Sequence, residues 1–148
     1  MHPRLNLPSY SFKIKELNQR TQIFDSIRKK YVALTPEEWV RQNFIQYLIH
    51  EKEFPTSLIA IEIGSKYNLL KQRSDVVIYS KTGDPLLLIE CKAPEVNITE
   101  EVFYQIARYN KAFRVKYLIV TNGMVHYFSM IDKNDFRFLD DIPSYRYL

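Results

Sequence analysis

The chain predicts an α/β fold, a mixed β-sheet flanked by helices, and three observations predict it. Apolar runs of strand length alternate with two segments of helical periodicity. Several strands follow one another across short turn signals and must pair antiparallel, while a helix between Cys91 and Lys116 permits a parallel crossover. Apolar residues make up 46% of the chain and glycines number only three, the balance of a globular rather than a disordered protein. At 148 residues the chain is read as one domain with a core of its own, residues 1–31 forming an arm and a small hairpin and residues 32–148 the core.

Met1 to Ser11 reads as an irregular arm punctuated by Pro3 and Pro8. Phe12–Lys15 alternates apolar and basic residues, and Thr21–Phe24 follows after Leu17–Arg20, which predicts an N-terminal β-hairpin. Ile27-Arg28-Lys29-Lys30-Tyr31 is a short basic run with an aromatic end, either a solvated surface segment or a phosphate contact. Thr35-Pro36-Glu37-Glu38 opens a helix: Thr35 caps it, Pro36 suits its first position, and Glu38 stands where a capping-box acid belongs. Val40, Phe44, Tyr47 and Leu48 recur at helical spacing and carry it to about His50. Leu58–Ile63 is predicted as a strand, with Glu62 inside it. After Pro94, Thr99 caps a second helix with Glu100 and Glu101 in its first turn and Val102, Ile106, Tyr109 and Phe113 as apolar positions. Lys116–Val120 and Val125–Met130 form a hairpin about the turn signal Asn122-Gly123. The tail from Phe136 to Leu148 is rich in aromatic residues and carries no clear periodicity.

The segment Arg73–Pro94 carries the chemistry. Val76–Tyr79 and Leu86–Cys91 read as strands joined by Lys81-Thr82-Gly83-Asp84, and a symmetric four-residue loop sets Asp75 opposite Glu90 and Arg73 opposite Lys92. Side chains alternate along a strand, so Glu90, Lys92 and Asp75 share a face. Leu86-Leu87-Leu88-Ile89 is apolar on both faces, the mark of a central strand, and an acid and an amine ending it must be paired or bind metal. Two carboxylates beside a lysine suit a hard cation with oxygen ligands, Mg²⁺ or Mn²⁺. Without metal, Lys92 and Arg73 would neutralise the two acids.

Composition excludes several classes. A single cysteine, Cys91, forms no intrachain disulfide and points to a reducing, cytoplasmic setting. No apolar run reaches transmembrane length, so no membrane role is expected. Cys91, His2, His50 and His126 are too scattered for a zinc site. The net charge of +4 is compatible with a polyanionic partner without demanding one. There is no G-x-x-x-x-G-K-[S/T] loop for an ATPase motor, nor room for a separate target-recognition domain.

Asp75 upstream of Glu90-Cys91-Lys92 resembles the PD-(D/E)XK nuclease signature, with Ser74 where the signature has proline. The elements together resemble a restriction-endonuclease-like core. Within that superfamily, TPEEWVRQ (Thr35–Gln42), RSDVVIY (Arg73–Tyr79), LLLIECKAP (Leu86–Pro94) and QIARY (Gln105–Tyr109) resemble the nuclease domain at the N-terminus of type I restriction enzyme R subunits. The resemblance implies a free-standing Mg²⁺-dependent (or Mn²⁺-dependent) DNA endonuclease. Asp75 and Glu90 are then metal ligands and Lys92 assists catalysis. Gln105 and Tyr109 line the site near the DNA backbone, with Arg73 and Gln42 as further substrate contacts. It also implies an acid on the first helix, Glu38 or Glu37. Glu38 is preferred because Gln42 lies one turn along the same face. Each has a structural alternative, Glu38 in the Thr35 capping box and Glu37 paired with Arg41. The partner is DNA, with a homodimer or other restriction-type subunits as candidate associates. The competing reading is a non-catalytic nucleic-acid-binding or partner-binding module of the same fold, and action on RNA is a third.

Overall fold

A computed structural model of the chain describes residues 2–61, 76–109, 115–133 and 135–148. Its N-terminal part holds β1 (Ile14–Leu17), β2 (Arg20–Asp25), β3 (Lys30–Ala33) and α1 (Pro36–Lys52). Then come β4 (Ile59–Ile61), β5 (Val76–Tyr79), β6 (Pro85–Cys91), α2 (Glu100–Tyr109), β7 (Tyr117–Thr121), β8 (His126–Asp132) and β9 (Asp135–Leu139).

The first three strands form one small antiparallel sheet and the other six a larger one in the order β4-β5-β6-β7-β8-β9. Every neighbouring pair in the larger sheet is antiparallel except β6 with β7, the parallel step that α2 bridges. Around β5 and β6 the expected register holds, with Val76 opposite Ile89 and Val77 opposite Leu88; a bulge at Ile78/Tyr79 then sets Tyr79 opposite Pro85. Asp75, Arg73 and Glu62 lie outside the described residues.

Alternation sorts the core into two layers. Val76, Ile78, Leu87, Ile89, Cys91 and Ile119 pack with Val40, Phe44 and Leu48 of α1. Val77, Leu88, Leu118 and Val120 pack with Phe103, Ile106 and Ala107 of α2. The two helices therefore cover opposite faces of the sheet, the arrangement of a restriction-endonuclease-like core. Helix α1 begins as its sequence requires: Thr35 has extended backbone, and its side chain accepts the Glu38 N–H at 3.0 Å. It ends at Lys52, two residues past His50, where Glu53 takes a left-handed conformation and returns a hydrogen bond through Phe54 N–H to Leu48 O. Thr99 Oγ1 likewise accepts the Val102 N–H (3.2 Å) at the start of α2.

Two expectations need correction. The N-terminal hairpin is a three-stranded sheet, because the second half of the basic run folds back as β3 and pairs with β2. Within that run Arg28 is committed to Asp25 and Glu38 and so is not a solvated or phosphate-bound cation in this fold. The tail also contributes β9, the sixth strand, and then sends Ile142 and Tyr145 into the core; the Tyr145 hydroxyl donates to Tyr79 O at 3.0 Å.

The arm is fixed to both the helix and a hairpin tip. Trp39 Nε1 donates to Pro3 O (2.9 Å), and Asn6 N–H donates to Gly123 O (2.8 Å). His126 closes the same junction, its Nδ1 2.7 Å from Thr121 Oγ1 and its Nε2 3.1 Å from Asn6 O. Burial holds the imidazole below its usual pKa, against the opposing pull of the Asn6 carbonyl. Gly123 adopts φ +85°, and a Cβ there would stand 2.7 Å from Leu5 Cδ2. Gly123→Ala is expected to cost about 1–3 kcal/mol through strain and overpacking together. An unchanged midpoint in chemical denaturation would contradict this account of the turn.

Candidate active site

Glu90 and Lys92 stand at the carboxyl end of β6, beyond a stretch, Leu87 to Ile89, that is fully buried. Their neighbour Cys91 packs in the α1 layer, so alternation turns both side chains toward the α2 layer, beside Val120, the parallel partner of Glu90. The Lys92 Nζ lies 3.5 Å from Glu90 Oε1, with side-chain exposures of 32% and 15%. The backbone is secured too, since Lys92 N–H donates to Thr121 O at 2.8 Å. A carboxylate and an amine are thus held together on a rigid central strand, yet within reach of solvent.

Glu38 occupies a second charged cluster. Its side chain is 7% exposed, and both carboxylate oxygens accept hydrogen bonds. Oε1 accepts from Arg41 Nη1 (2.7 Å) and Arg28 Nη2 (3.1 Å), and Oε2 accepts from Gln42 Nε2 (2.8 Å). Arg28 also pairs with the fully buried Asp25, and Arg41 with Glu37 at 3.0 Å, the pairing its spacing suggests. Gln42 is therefore turned toward Glu38, one helical turn away, and is itself buried. The cluster ties α1 to the turn between β2 and β3.

Among the remaining predicted residues, Gln105 is exposed on α2, the helix that covers the face carrying Glu90. Tyr109 is the last residue of that helix, and its side chain falls outside the described part. Among the described residues, no three His, Cys, Asp or Glu side chains converge as a metal site; Asp75, the carboxylate expected opposite Glu90, is not among them.

Sequence reasoning reads Asn122 only as a turn residue. It is 6% exposed, and its Oδ1 accepts the N–H groups of Met124 and Val125, both at 2.9 Å. Its Nδ2 donates to Val96 O at 2.8 Å, so it also holds the loop that runs from Lys92 to α2. An asparagine beside a glycine signals the turn equally well without that longer reach, and nothing local marks the second role. Arg28 and Arg41, the partners of Glu38, are hidden for the same reason: one is remote in sequence and the other reads as an ordinary helical ion pair.

The family model for the type I restriction enzyme R protein N terminus matches residues 36–143. No curated protein matches the chain.

Proposed function

We propose, because the chain belongs to the type I restriction enzyme R protein N-terminal family, that it is a metal-dependent DNA endonuclease hydrolysing phosphodiester bonds. The observation that carries the reading is the Glu90–Lys92 pair, acid and amine 3.5 Å apart at the end of a buried strand in a nuclease-related fold. A partly buried carboxylate of this kind offers oxygen to a hard cation, which fits Mg²⁺ or Mn²⁺ and not a soft metal. Asp75 and Glu90 would hold the ion; once bound, it supplies Lewis acidity toward a phosphoryl oxygen.

The rest falls to the chain. Lys92, tethered by its own main-chain bond to Thr121, presents its ammonium to the phosphate oxygen on which charge grows, or orients the attacking water. Gln105, Tyr109 and Arg73 bear on the DNA backbone near the scissile bond. Glu38 joins the metal set only by exchanging an arginine or Gln42 for the cation, and Gln42 acts through Glu38 by fixing its carboxylate.

That engagement of Glu38 is the observation favouring the alternative, a nucleic-acid-binding module of the same fold without cleavage. Incubation of plasmid and single-stranded DNA with Mg²⁺ or Mn²⁺, beside a chelator control and Asp75→Ala, separates the two. Metal-dependent nicking that disappears in the variant is the expected result. Intact binding in a gel shift with no cleavage under any condition would transfer the assignment to the binding module. Cleavage that survives in Asp75→Ala would displace the site.

A further inference from the structure

The small N-terminal sheet has two chemically unlike faces. Register places Ile14, Ile23 and Val32 on one of them, with Glu16, Asp25 and Lys30. Ile23 and Asp25 are fully buried there, and Asp25 reaches Glu38 of α1 through Arg28, so the β2 part of this face is turned to the body of the protein, while Ile14, Glu16 and Lys30 are exposed at its margins. The other face carries Lys13, Lys15, Arg20, Gln22, Phe24 and Tyr31. No acid shares it: the carboxylates of these strands, Glu16 and Asp25, both belong to the inward face.

On this outward face the charges are organised around rings. Lys15 Nζ sits 4.0 Å from the centre of the Tyr31 ring and Lys13 Nζ 5.7 Å from that of Phe24, while the two rings meet edge to face at 5.2 Å. Lys13, Lys15 and Arg20 are exposed. Lys15 lies on β1 and Lys13 just ahead of it, where its carbonyl still accepts the Phe24 N–H, so the two are about 6.8 Å apart along the extended backbone. That step is comparable to the step between successive phosphates of an extended nucleic-acid strand. The sheet, residues 14–33, also lies wholly outside the segment that the family model matches.

We propose that this outward face is a contact surface for a nucleic-acid backbone, separate from the Glu90–Lys92 site. The ammonium and guanidinium groups meet phosphates, and the rings beneath them keep the lysine stems in place and offer an apolar floor for the sugars and bases of an unpaired strand. Phosphate and ring contacts carry no base identity, so the contact that the lysines and rings make is independent of sequence. It serves to hold substrate and does not itself cut. The inference rests on the charge and topology of this sheet and stands whether or not the Glu90–Lys92 site cleaves.

The test is fluorescence anisotropy of the whole chain with labelled duplex and single-stranded DNA, in chelator so that nothing is cut, across a salt series. Three proteins beside the wild type suffice: K13E/K15E/R20E, the milder K13Q/K15Q/R20Q, and K81E/K133E/R137E as an equal charge change at exposed positions elsewhere. Circular dichroism checks that each is folded. The first variant is expected to bind about tenfold or more weakly, with the slope of log K against log salt reduced by about 0.9 for each phosphate the protein no longer neutralises. The glutamine variant falls between, and the control stays near wild type. Equal loss in the control, no loss in either platform variant, or a wild type that binds neither DNA would each overturn the proposal. Because binding is read in chelator and needs no cleavage, failed holding and failed cleavage are read independently.

Discussion

Lys92→Ala is expected to lower metal-dependent DNA cleavage by at least about 100-fold while leaving the fold and the affinity for DNA nearly unchanged. The argument turns on where the lysine is anchored. Its main chain belongs to the β6–β7 pairing, donating to Thr121 O, and that bond survives the substitution. Among the described residues its side chain makes one ion pair, to Glu90 at 3.5 Å, and a third of it is exposed. With the amine a third exposed and the carboxylate 15% exposed, the pair contributes on the order of 1 kcal/mol. Loss of the amine should therefore be felt in the chemistry and hardly in the folding. The checks are initial rates of plasmid nicking and a urea unfolding curve on the same preparations. Unfolding of the variant would show that Lys92 is a structural ion-pair partner, and undiminished cleavage would remove it from the proposed mechanism.

Glu38→Ala is expected to do the reverse and cost about 3 kcal/mol of stability. It strips three hydrogen bonds from a site where Glu38, Arg41 and Gln42 are all at most 5% exposed. The loss falls at the lower end for a broken buried pair because neither arginine is stranded: Arg28 keeps Asp25 and Arg41 keeps Glu37. The readout is a fall in the urea midpoint at unchanged m. A loss below about 1 kcal/mol would mean that the cluster is solvated more freely than its burial indicates. Glu38→Gln adds a second discrimination, since it keeps the shape and part of the hydrogen bonding. If Glu38 joins the metal set, that variant loses cleavage out of proportion to its loss of stability.

The parts of the molecule legible in the sequence are those where one local rule decides the outcome. Thr35-Pro36 starts α1 and Asn122-Gly123 makes its turn; between β5 and β6 the expected register holds at Val76 and Val77, with the bulge at Ile78/Tyr79 making up the residue by which the loop departs from symmetry. The β3 and β9 strands escaped because neither displays such a rule. The turns ahead of them do hold turn formers, Asp25-Ser26 before β3 and Asp132 before β9, but left-handed Lys29 and Lys133 stand at the turning points and no local pattern fixes where each strand begins. Strand β9 alternates Asp135 and Arg137 with Phe136 and Phe138, but the run is short and lies at the edge of the sheet, where so brief an alternation does not by itself mark a strand. The candidate site divides in the same way. Alternation within β6 places Glu90 beside Lys92, but the environment of Glu38 depends on Arg28, which only the folding of the small sheet delivers.

The single parallel step in the large sheet has a consequence for the order in which the molecule is built. Strands β4 to β6 and β7 to β9 are each runs of sequential neighbours, and among the described residues the strand pairing that joins them is that of β6 with β7. The β5–β6, β7–β8 and β8–β9 pairings close short loops, whereas the joining one must draw in the whole α2 crossover. Glu90 and Lys92 lie on that seam, Glu90 in register with Val120 and Lys92 bonded to Thr121. The two halves can each gain much of their hairpin structure while the charged pair still lacks its floor. The proposed site is thus complete only where the two halves of the sheet meet.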